Sequence, residues 1–119
     1  MLAVVSPAKK LDTNETGRSL SFTQPPLMAD TEQLMQTTKG LQPSELQSLM
    51  SISEKLANLN HERFQNFETP FTDRNAKAAA LMFNGDTYVG LDANNLSDAS
   101  LQWAQNHLAI LSGLYGLLR

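Results

Sequence analysis

The feature that most constrains the fold is a short apolar run near the amino terminus, Leu2–Val5, which Ser6 and Pro7 end at once. The run is partly β-branched, and proline cannot donate a hydrogen bond to a β-ladder. A short run without alternating polar residues is typical of a strand that is buried on both faces of a sheet. The polar stretch from Asp12 to Pro26 then predicts a loop over the surface.

Helical patterns dominate the rest of the chain. Five segments are predicted to be helical: 29–39, 44–50 capped by Ser44, 51–59 with a capping box at Ser51 and a further turn from Asn60, 73–83 capped by Thr72, and 98–111 capped by Ser97 and ended by Ser112 and Gly113. Gly85 or Gly113 is predicted to take the left-handed conformation at a helix end. The triplet Thr87–Val89 favours a second strand because its residues prefer extended backbone.

These elements predict a mixed α/β fold in which mostly short helices surround one or two strands. Such a sheet is incomplete, because an isolated strand pair is marginally stable in water. The chain also ends on the apolar stretch Leu114–Arg119. We therefore expect residues 1–119 to be the amino-terminal portion of a single larger domain, truncated after Arg119. Exposed apolar faces at Val4, Leu114, Leu117 and Leu118 would then favour self-association.

Composition excludes several classes of protein. The 119 residues include no cysteine, which excludes disulfide scaffolds and thiolate chemistry. Nine basic against twelve acidic residues give a formal net charge of −3, so no polybasic surface for nucleic acid or membrane is evident. No apolar run has the length of a signal peptide or a membrane span, so a soluble intracellular protein without membrane contact is expected.

The first candidate site is the segment Ser6–Lys10, which follows the predicted strand. Open α/β sheets bind ligands at the carboxyl ends of their strands, and Lys9 and Lys10 could meet a phosphate or a carboxylate there. The segment lacks the spaced glycines of a P-loop. The alternative is that Ser6 and Pro7 end a strand and the lysines are solvated.

The second candidate is the segment Phe83–Leu91, which holds Gly85, Asp86 and Tyr88. Asp86 could act as a base or a metal ligand, but one carboxylate does not make a site, and a turn in which it accepts backbone amides is the alternative. The nearby run Asp92–Asp98 fails the spacing of a calcium loop, because Ser97 occupies the place of the required glycine. No metal or other cofactor is predicted.

The third candidate is the carboxyl-terminal segment Leu111–Arg119, where Gly113 and Gly116 flank Leu114 and Tyr115. A helix that ends in glycine, crosses a tight apolar turn and begins again is typical of a helix-hairpin-helix, which offers backbone amides to a DNA phosphate. Two residues separate the glycines where that motif commonly has one. A helix end followed by core residues is the alternative.

Together these three segments resemble the amino-terminal part of the YaaA family of peroxide-stress proteins. That family has Ser-Pro-Ala-Lys after its first strand, Phe-x-Gly-Asp-x-Tyr-x-Gly-Leu in a central segment and Leu-Ser-Gly-Leu-Tyr-Gly-x-Leu-Arg in a later one. They correspond here to 6–9, 83–91 and 111–119, in the same order. The present chain has Lys10 where threonine is expected.

The resemblance implies a cytoplasmic bacterial protein that keeps intracellular iron low during peroxide stress. It also implies binding of double-stranded DNA through a helix-hairpin-helix and a basic cleft. In the leading hypothesis the protein is not an enzyme: Lys9, Lys10 and Arg119 contact phosphates, helped by the amides near Gly113 and Gly116, and binding by this chain alone is weak. The alternative is an enzyme acting on a small phosphorylated or carboxylated substrate held by Lys9. Ser6, Asp86 or Tyr88 would then transfer protons.

Overall fold

The computed structural model describes all residues from Met1 to Arg119. Its helices and strands are, in chain order, β1 (Ala3–Val5), α1 (Met28–Lys39), α2 (Pro43–Met50), α3 (Glu54–Gln65), α4 (Ala79–Met82), α5 (Asp86–Leu91), α6 (Asp98–His107), β2 (Leu108–Ser112) and β3 (Gly116–Leu118). A 3₁₀ turn at Ala93–Asn95 joins α5 to α6. None of the helices is long and apolar enough to cross a membrane.

The three strands form one mixed sheet in the order β1-β2-β3. β1 runs parallel to β2, with Ala3 opposite Leu108 and Val5 opposite Ile110. β3 runs antiparallel to β2, with Ile110 opposite Leu118 and Ser112 opposite Gly116. The predicted mixed α/β class is therefore confirmed, with β2 as the central strand.

The chain divides into two compact units. The first comprises Met1–Met28 and Thr72–Arg119 and contains the sheet, and the second is Ala29–Phe71 and is helical. The core of the sheet-containing unit includes Leu81, Tyr88 and Ile110, and Ile110 is only 1% exposed. In the helical unit, Met35, Leu46 and Ala57 are buried, one from each of its three helices.

β1 is an edge strand, and the prediction that it is buried on both faces is wrong for this chain. Val4 is 52% exposed, and only Val5 at the end of the strand is partly buried. Pairing with β2 covers one edge of β1 but neither of its faces, and the exposure of Val4 shows that its face is not covered by another layer. The other residues predicted to be exposed, Leu114, Leu117 and Leu118, are partly buried in the hairpin.

The helices of the 29–71 unit agree with prediction in extent but differ in their caps. α1 ends at Lys39, before Gly40, as predicted. α2 is capped by Gln42 rather than Ser44, and the Glu45 carboxylate accepts the Gln42 N–H at 2.7 Å. α3 is capped by Ser53 rather than Ser51, because Ser51 takes the left-handed conformation that ends α2.

Two predictions in the segment 72–91 are wrong. The predicted helix 73–83 is reduced to α4, preceded by turns in which the Thr72 hydroxyl accepts the Arg74 N–H. The triplet Thr87–Val89 lies in α5 rather than in a strand. Burial of Tyr88 against the sheet-containing core accounts for this, since tertiary packing overrides a weak local preference for extended backbone.

The last predicted helix begins correctly but ends early. Ser97 caps α6 by accepting the Ser100 N–H, as predicted. The helix stops at His107, and the apolar run that follows is β2. The segment 108–118 is consequently a β-hairpin, and the predicted helix-hairpin-helix at 111–119 is wrong. The spacing of Leu108 and Leu111 fits a continued helix. As an extended strand, however, β2 forms backbone hydrogen bonds with β1 on one side and with β3 on the other.

Glycine is required at two positions, for different reasons. Gly116 has a φ of +71°, and a Cβ there would lie 2.6 Å from Leu27 Cδ1. Gly85 has a φ of −95°, so the prediction of a left-handed Gly85 is wrong, and Gly113 is not left-handed either. A Cβ on Gly85 would instead lie 2.9 Å from Ala8 Cβ. Gly85 is thus needed for close packing rather than for backbone conformation.

The segment 12–25 forms the predicted loop without regular structure. Its main anchor is Arg18, whose guanidinium donates to the carbonyls of Ala93, Asn94 and Leu96 and pairs with Asp98. One side chain thereby satisfies carbonyls at the end of the 3₁₀ turn and fixes the loop beside the start of α6.

Candidate anion site

The candidate site lies where the two parallel strands end. β1 ends at Val5 and β2 at Ser112, and parallel strands bring their carboxyl ends to the same edge of a sheet. The segment Ser6–Lys10 leaves this edge from β1, and the turn after Ser112 leaves it from β2. Two of the three predicted segments therefore meet at the edge where open α/β sheets bind ligands.

Backbone hydrogen bonds hold the far end of the lysine segment. The Asn84 N–H donates to the Lys10 carbonyl at 2.9 Å, and the Asp12 N–H donates to the Met82 carbonyl at 2.7 Å. Leu11 and Phe83 form an antiparallel bridge between these two bonds. The segment is therefore fixed just after the lysines.

Its near end is held by α5. The Tyr88 hydroxyl donates to the Ser6 carbonyl at 2.6 Å, and Gly85 packs against Ala8. These contacts place the segment Ser6–Lys10 beside the start of α5. We use the name "lysine loop" below for the segment Ser6–Lys10 held in this way.

The two lysines of the loop differ from Arg18 and Lys77, the cations of this unit that form ion pairs. The side chains of Lys9 and Lys10 are exposed, and neither forms an ion pair. Lys77, by contrast, donates to the Asp12 carbonyl at 2.9 Å and lies 3.7 Å from the Asp12 carboxylate. Lys9 and Lys10 are thus two adjacent positive charges with no acidic partner.

The turn of the β-hairpin lies at the same edge, but its backbone N–H groups form hydrogen bonds within the turn. Ser112 Oγ accepts the N–H groups of Leu114 and Tyr115 at 3.3 and 3.2 Å. Gly116 pairs with Ser112, so Gly113 and Gly116 flank the turn. The two amides between these glycines already have an acceptor within the protein.

Arg119 lies away from this edge, on the other side of β2 from β1. β3 runs back from Gly116, opposite Ser112, to Leu118, opposite Ile110, and Arg119 follows Leu118. It lines a cavity of about 230 Å³ together with Leu101, Gln105 and Ser21. The structure therefore brings Ser6, Lys9 and Lys10 together with Gly85 and Tyr88 and separates Arg119 from them.

Two ionisable groups beside the lysine loop have shifted pKa values. Burial raises the pKa of the Tyr88 phenol, whose ring lies 5.3 Å from that of Phe83. Hydrogen bonding to the Asn14 N–H, and secondarily the charge of Lys77, lowers the pKa of the Asp12 carboxyl against the opposing effect of burial. At neutral pH Tyr88 is therefore a hydrogen-bond donor and Asp12 an anion.

A second cavity, of about 200 Å³, lies beside the loop and is lined by Asp12, Asn84, Tyr88, Asp92 and Asn94, among other residues. Asp86 is exposed at the start of α5. No group of three or more histidine, cysteine, aspartate or glutamate side chains is placed to hold a metal ion.

Sequence reasoning missed three residues that support the site. Lys77 fixes Asp12, Asn84 fixes Lys10, and Arg18 fixes the loop that follows. Lys77 carried a recognisable signal, because it is the one charged residue within the alanine-rich run Ala76–Ala80. Asn84 contacts Lys10 through its backbone N–H, and the identity of a side chain does not reveal such a contact in the sequence.

Comparison with known proteins identifies the family. The sequence model described as "Peroxide stress protein YaaA" matches residues 1–119. The chain belongs to this family. A UPF0246 protein of Alteromonas mediterranea is 56% identical over all 119 residues, one of Pseudoalteromonas translucida is 52% identical, and one of Neisseria meningitidis serogroup C is 48% identical. The chain covers 46% of each of these YaaA-family relatives, or about half their length.

Proposed function

We propose that this chain forms part of a cytoplasmic YaaA-family protein that binds double-stranded DNA during peroxide stress, and that Lys9 and Lys10 contact its phosphates. The observation that carries the proposal is the lysine loop, with two exposed and unpaired cations on a backbone fixed at both ends. A fixed backbone lowers the entropy lost when a charged ligand is bound.

The two lysine side chains favour contacts with DNA phosphates that do not depend on the base sequence. An ammonium group is a compact point charge that meets phosphate oxygens without a preferred plane. Contacts of this kind position a protein on a duplex but do not distinguish bases. The formal net charge of −3 opposes association, so binding by residues 1–119 is weak.

The proposal extends to iron at the level of the whole protein. The family is described by its link to peroxide stress, and iron reacts with peroxide to give damaging radicals, so a protein that keeps intracellular iron low would limit that damage. The test is chelatable iron after peroxide treatment in bacteria that carry the full-length protein with or without Lys9→Gln and Lys10→Gln. Equal iron levels with the unsubstituted protein and with the lysine variants would show that the effect on iron does not require the lysine loop.

The direct test of DNA binding is fluorescence anisotropy with a labelled duplex at low salt. The double variant Lys9→Gln/Lys10→Gln is expected to lose binding, because it removes both phosphate contacts. The matched control is Lys55→Gln/Arg63→Gln, which changes the net charge by the same amount at exposed, unpaired positions of α3. Equal losses in both pairs would show that net charge alone governs binding and would contradict the proposal.

The second candidate is binding of a small phosphorylated or carboxylated substrate at the same lysines. The parallel pair β1-β2 favours it, because open α/β sheets bind small ligands at this edge. Chemical-shift titration with inorganic phosphate and with nucleotides distinguishes the two. Saturable shifts at the Lys9 and Lys10 amides without duplex binding would support the small ligand.

A further inference from the structure

One face of the sheet is apolar and partly exposed to solvent, although the small Ala109 at its centre is buried. Side chains alternate between the two faces of a strand, and residues paired in register share a face. Val4 is paired with Ala109, Leu111 lies two residues after Ala109, and Leu117 is paired with Leu111. We call this set, with Leu2 two residues before Val4, the outer sheet face.

The opposite face is the one that packs on the core. Ile110 and Leu108 point to that side and line a cavity with Leu81 and Leu101. Gly116 lies on the same side in contact with Leu27. The outer sheet face is less covered, since Val4 and Leu111 are each 52% exposed and Leu2 is 47% exposed.

An open face of this kind is unusual for these strands. β1 and β2 form a parallel pair, and sheets built of parallel strands are usually covered on both faces. The free edge of β1 is unprotected as well, because Ala3–Val5 contains neither a charged residue nor the proline that commonly blocks an exposed edge strand. Exposed apolar side chains and an unprotected strand edge are typical of a surface that is buried by another part of a protein.

The length of the relatives indicates what buries it. The matched part covers 46% of the UPF0246 proteins of Alteromonas mediterranea and Pseudoalteromonas translucida, so more than half of each lies outside that part. We propose that the outer sheet face binds the carboxyl-terminal half of a YaaA-family protein, through apolar contacts to Val4, Leu111 and Leu117. This surface is distinct from the lysine loop and does not depend on the proposed DNA binding.

The chain contains no cysteine, so a single introduced thiol can report on coverage of the face. The variants Val4→Cys and Leu111→Cys place the thiol on the outer sheet face, and Leu49→Cys places it on α2, where Leu49 is 73% exposed. Each is made in residues 1–119 and in a longer chain that continues with the carboxyl-terminal half of the Alteromonas mediterranea relative. The rate of alkylation by a maleimide is measured for all six proteins.

The longer chain is expected to slow alkylation about tenfold or more at Val4→Cys and Leu111→Cys, because burial makes a thiol inert, and to leave Leu49→Cys unchanged. Hydrogen exchange at Ala3–Val5 in the two unsubstituted chains checks the result without a substitution. Equal alkylation rates in the short and long chains at both sheet positions would overturn the proposal. So would protection in residues 1–119 alone that grows with concentration, because the occupant would then be a second copy.

Discussion

The hydroxyl of Tyr88 donates a 2.6 Å hydrogen bond to the backbone carbonyl of Ser6. The bond joins α5 to the residue that directly follows β1, across 82 positions of sequence. Tyr88 is itself buried. The lysine loop therefore begins at a point that is held by the core of its own unit rather than by solvent.

This bond predicts a loss of stability at alkaline pH. Burial raises the pKa of Tyr88 above its ordinary value of 10.0, so the folded state retains the phenolic proton more strongly than the unfolded state. The stabilising effect is complete below that ordinary pKa and is lost as the pH rises through the higher folded value. Urea midpoints measured on both sides of pH 10 should fall in the native chain.

The variant Tyr88→Phe separates this effect from general alkaline unfolding. It keeps the ring against Phe83 but leaves the Ser6 carbonyl without its donor, at an expected cost of about 1 kcal/mol at neutral pH. Its alkaline decline should be shallower than that of the native chain. Val89→Ala, at the exposed neighbour, is the control, and an unchanged decline in Tyr88→Phe would contradict the assignment.

The contact between Gly85 and Ala8 predicts that Gly85→Ala is destabilising. The added Cβ would lie 2.9 Å from Ala8 Cβ, and neither methyl group can rotate away. Overpacking of this kind costs about 1–3 kcal/mol, measured as a lower urea midpoint.

Gly90, which lies within α5, provides the matched control. A Cβ there meets nothing within 4 Å, so Gly90→Ala should be neutral or stabilising by up to about 1 kcal/mol. If the two variants have the same stability, the loop and α5 do not pack as described.

The contacts of Arg18 predict a loss of stability when its planar guanidinium is replaced by another cation. Its guanidinium serves three carbonyls and the Asp98 carboxylate, and lysine keeps the charge but not the planar arrangement of donors. Arg18→Lys should therefore destabilise the chain by about 1–3 kcal/mol and speed proteolysis within 12–25. Arg74→Lys, at an exposed position, is the control, and equal effects would contradict the role of Arg18.

Helix ends and caps that depend on neighbouring residues could be predicted from the sequence. The end of α1 before Gly40 and the cap at Ser97 depend on residues close in sequence, and both were predicted. The strand β2 was not, because Leu101, Ala104, Leu108 and Leu111 recur at helical intervals while the partner of β2 is β1, about a hundred positions away. Short apolar runs do not distinguish strand from helix by periodicity alone.

The site was partly predictable for the same reason. Ser6, Lys9 and Lys10 were identified because they follow a strand, and that rule concerns strand ends rather than distant contacts. Arg119 is separated from them because β3 runs antiparallel to β2. A helix-hairpin-helix was expected in this segment, so the direction of β3 was not predicted. Tyr88 was identified as part of the candidate segment Phe83–Leu91, but its bond to Ser6 depends on the three-dimensional fold.

The cavity that Arg119 lines leads to a prediction about that residue. Arg119 follows β3, on the other side of β2 from β1, and lines a cavity that includes no residue of the lysine loop, so we expect it not to contact a phosphate held by Lys9 and Lys10. Arg119→Gln should leave the salt dependence of duplex binding unchanged. A slope reduced by about 0.9, the value for one phosphate contact, would place Arg119 in the DNA interface.

The salt dependence of duplex binding tests the central claim most directly. Two phosphate contacts, at about 0.9 each, predict a slope of about −1.8 in a plot of log affinity against log salt, so affinity falls roughly tenfold when salt is raised fourfold. Lys9→Gln/Lys10→Gln should bring the slope close to zero, while Lys55→Gln/Arg63→Gln keeps it. An unchanged slope in the loop variant would contradict the assignment of Lys9 and Lys10 as the phosphate contacts.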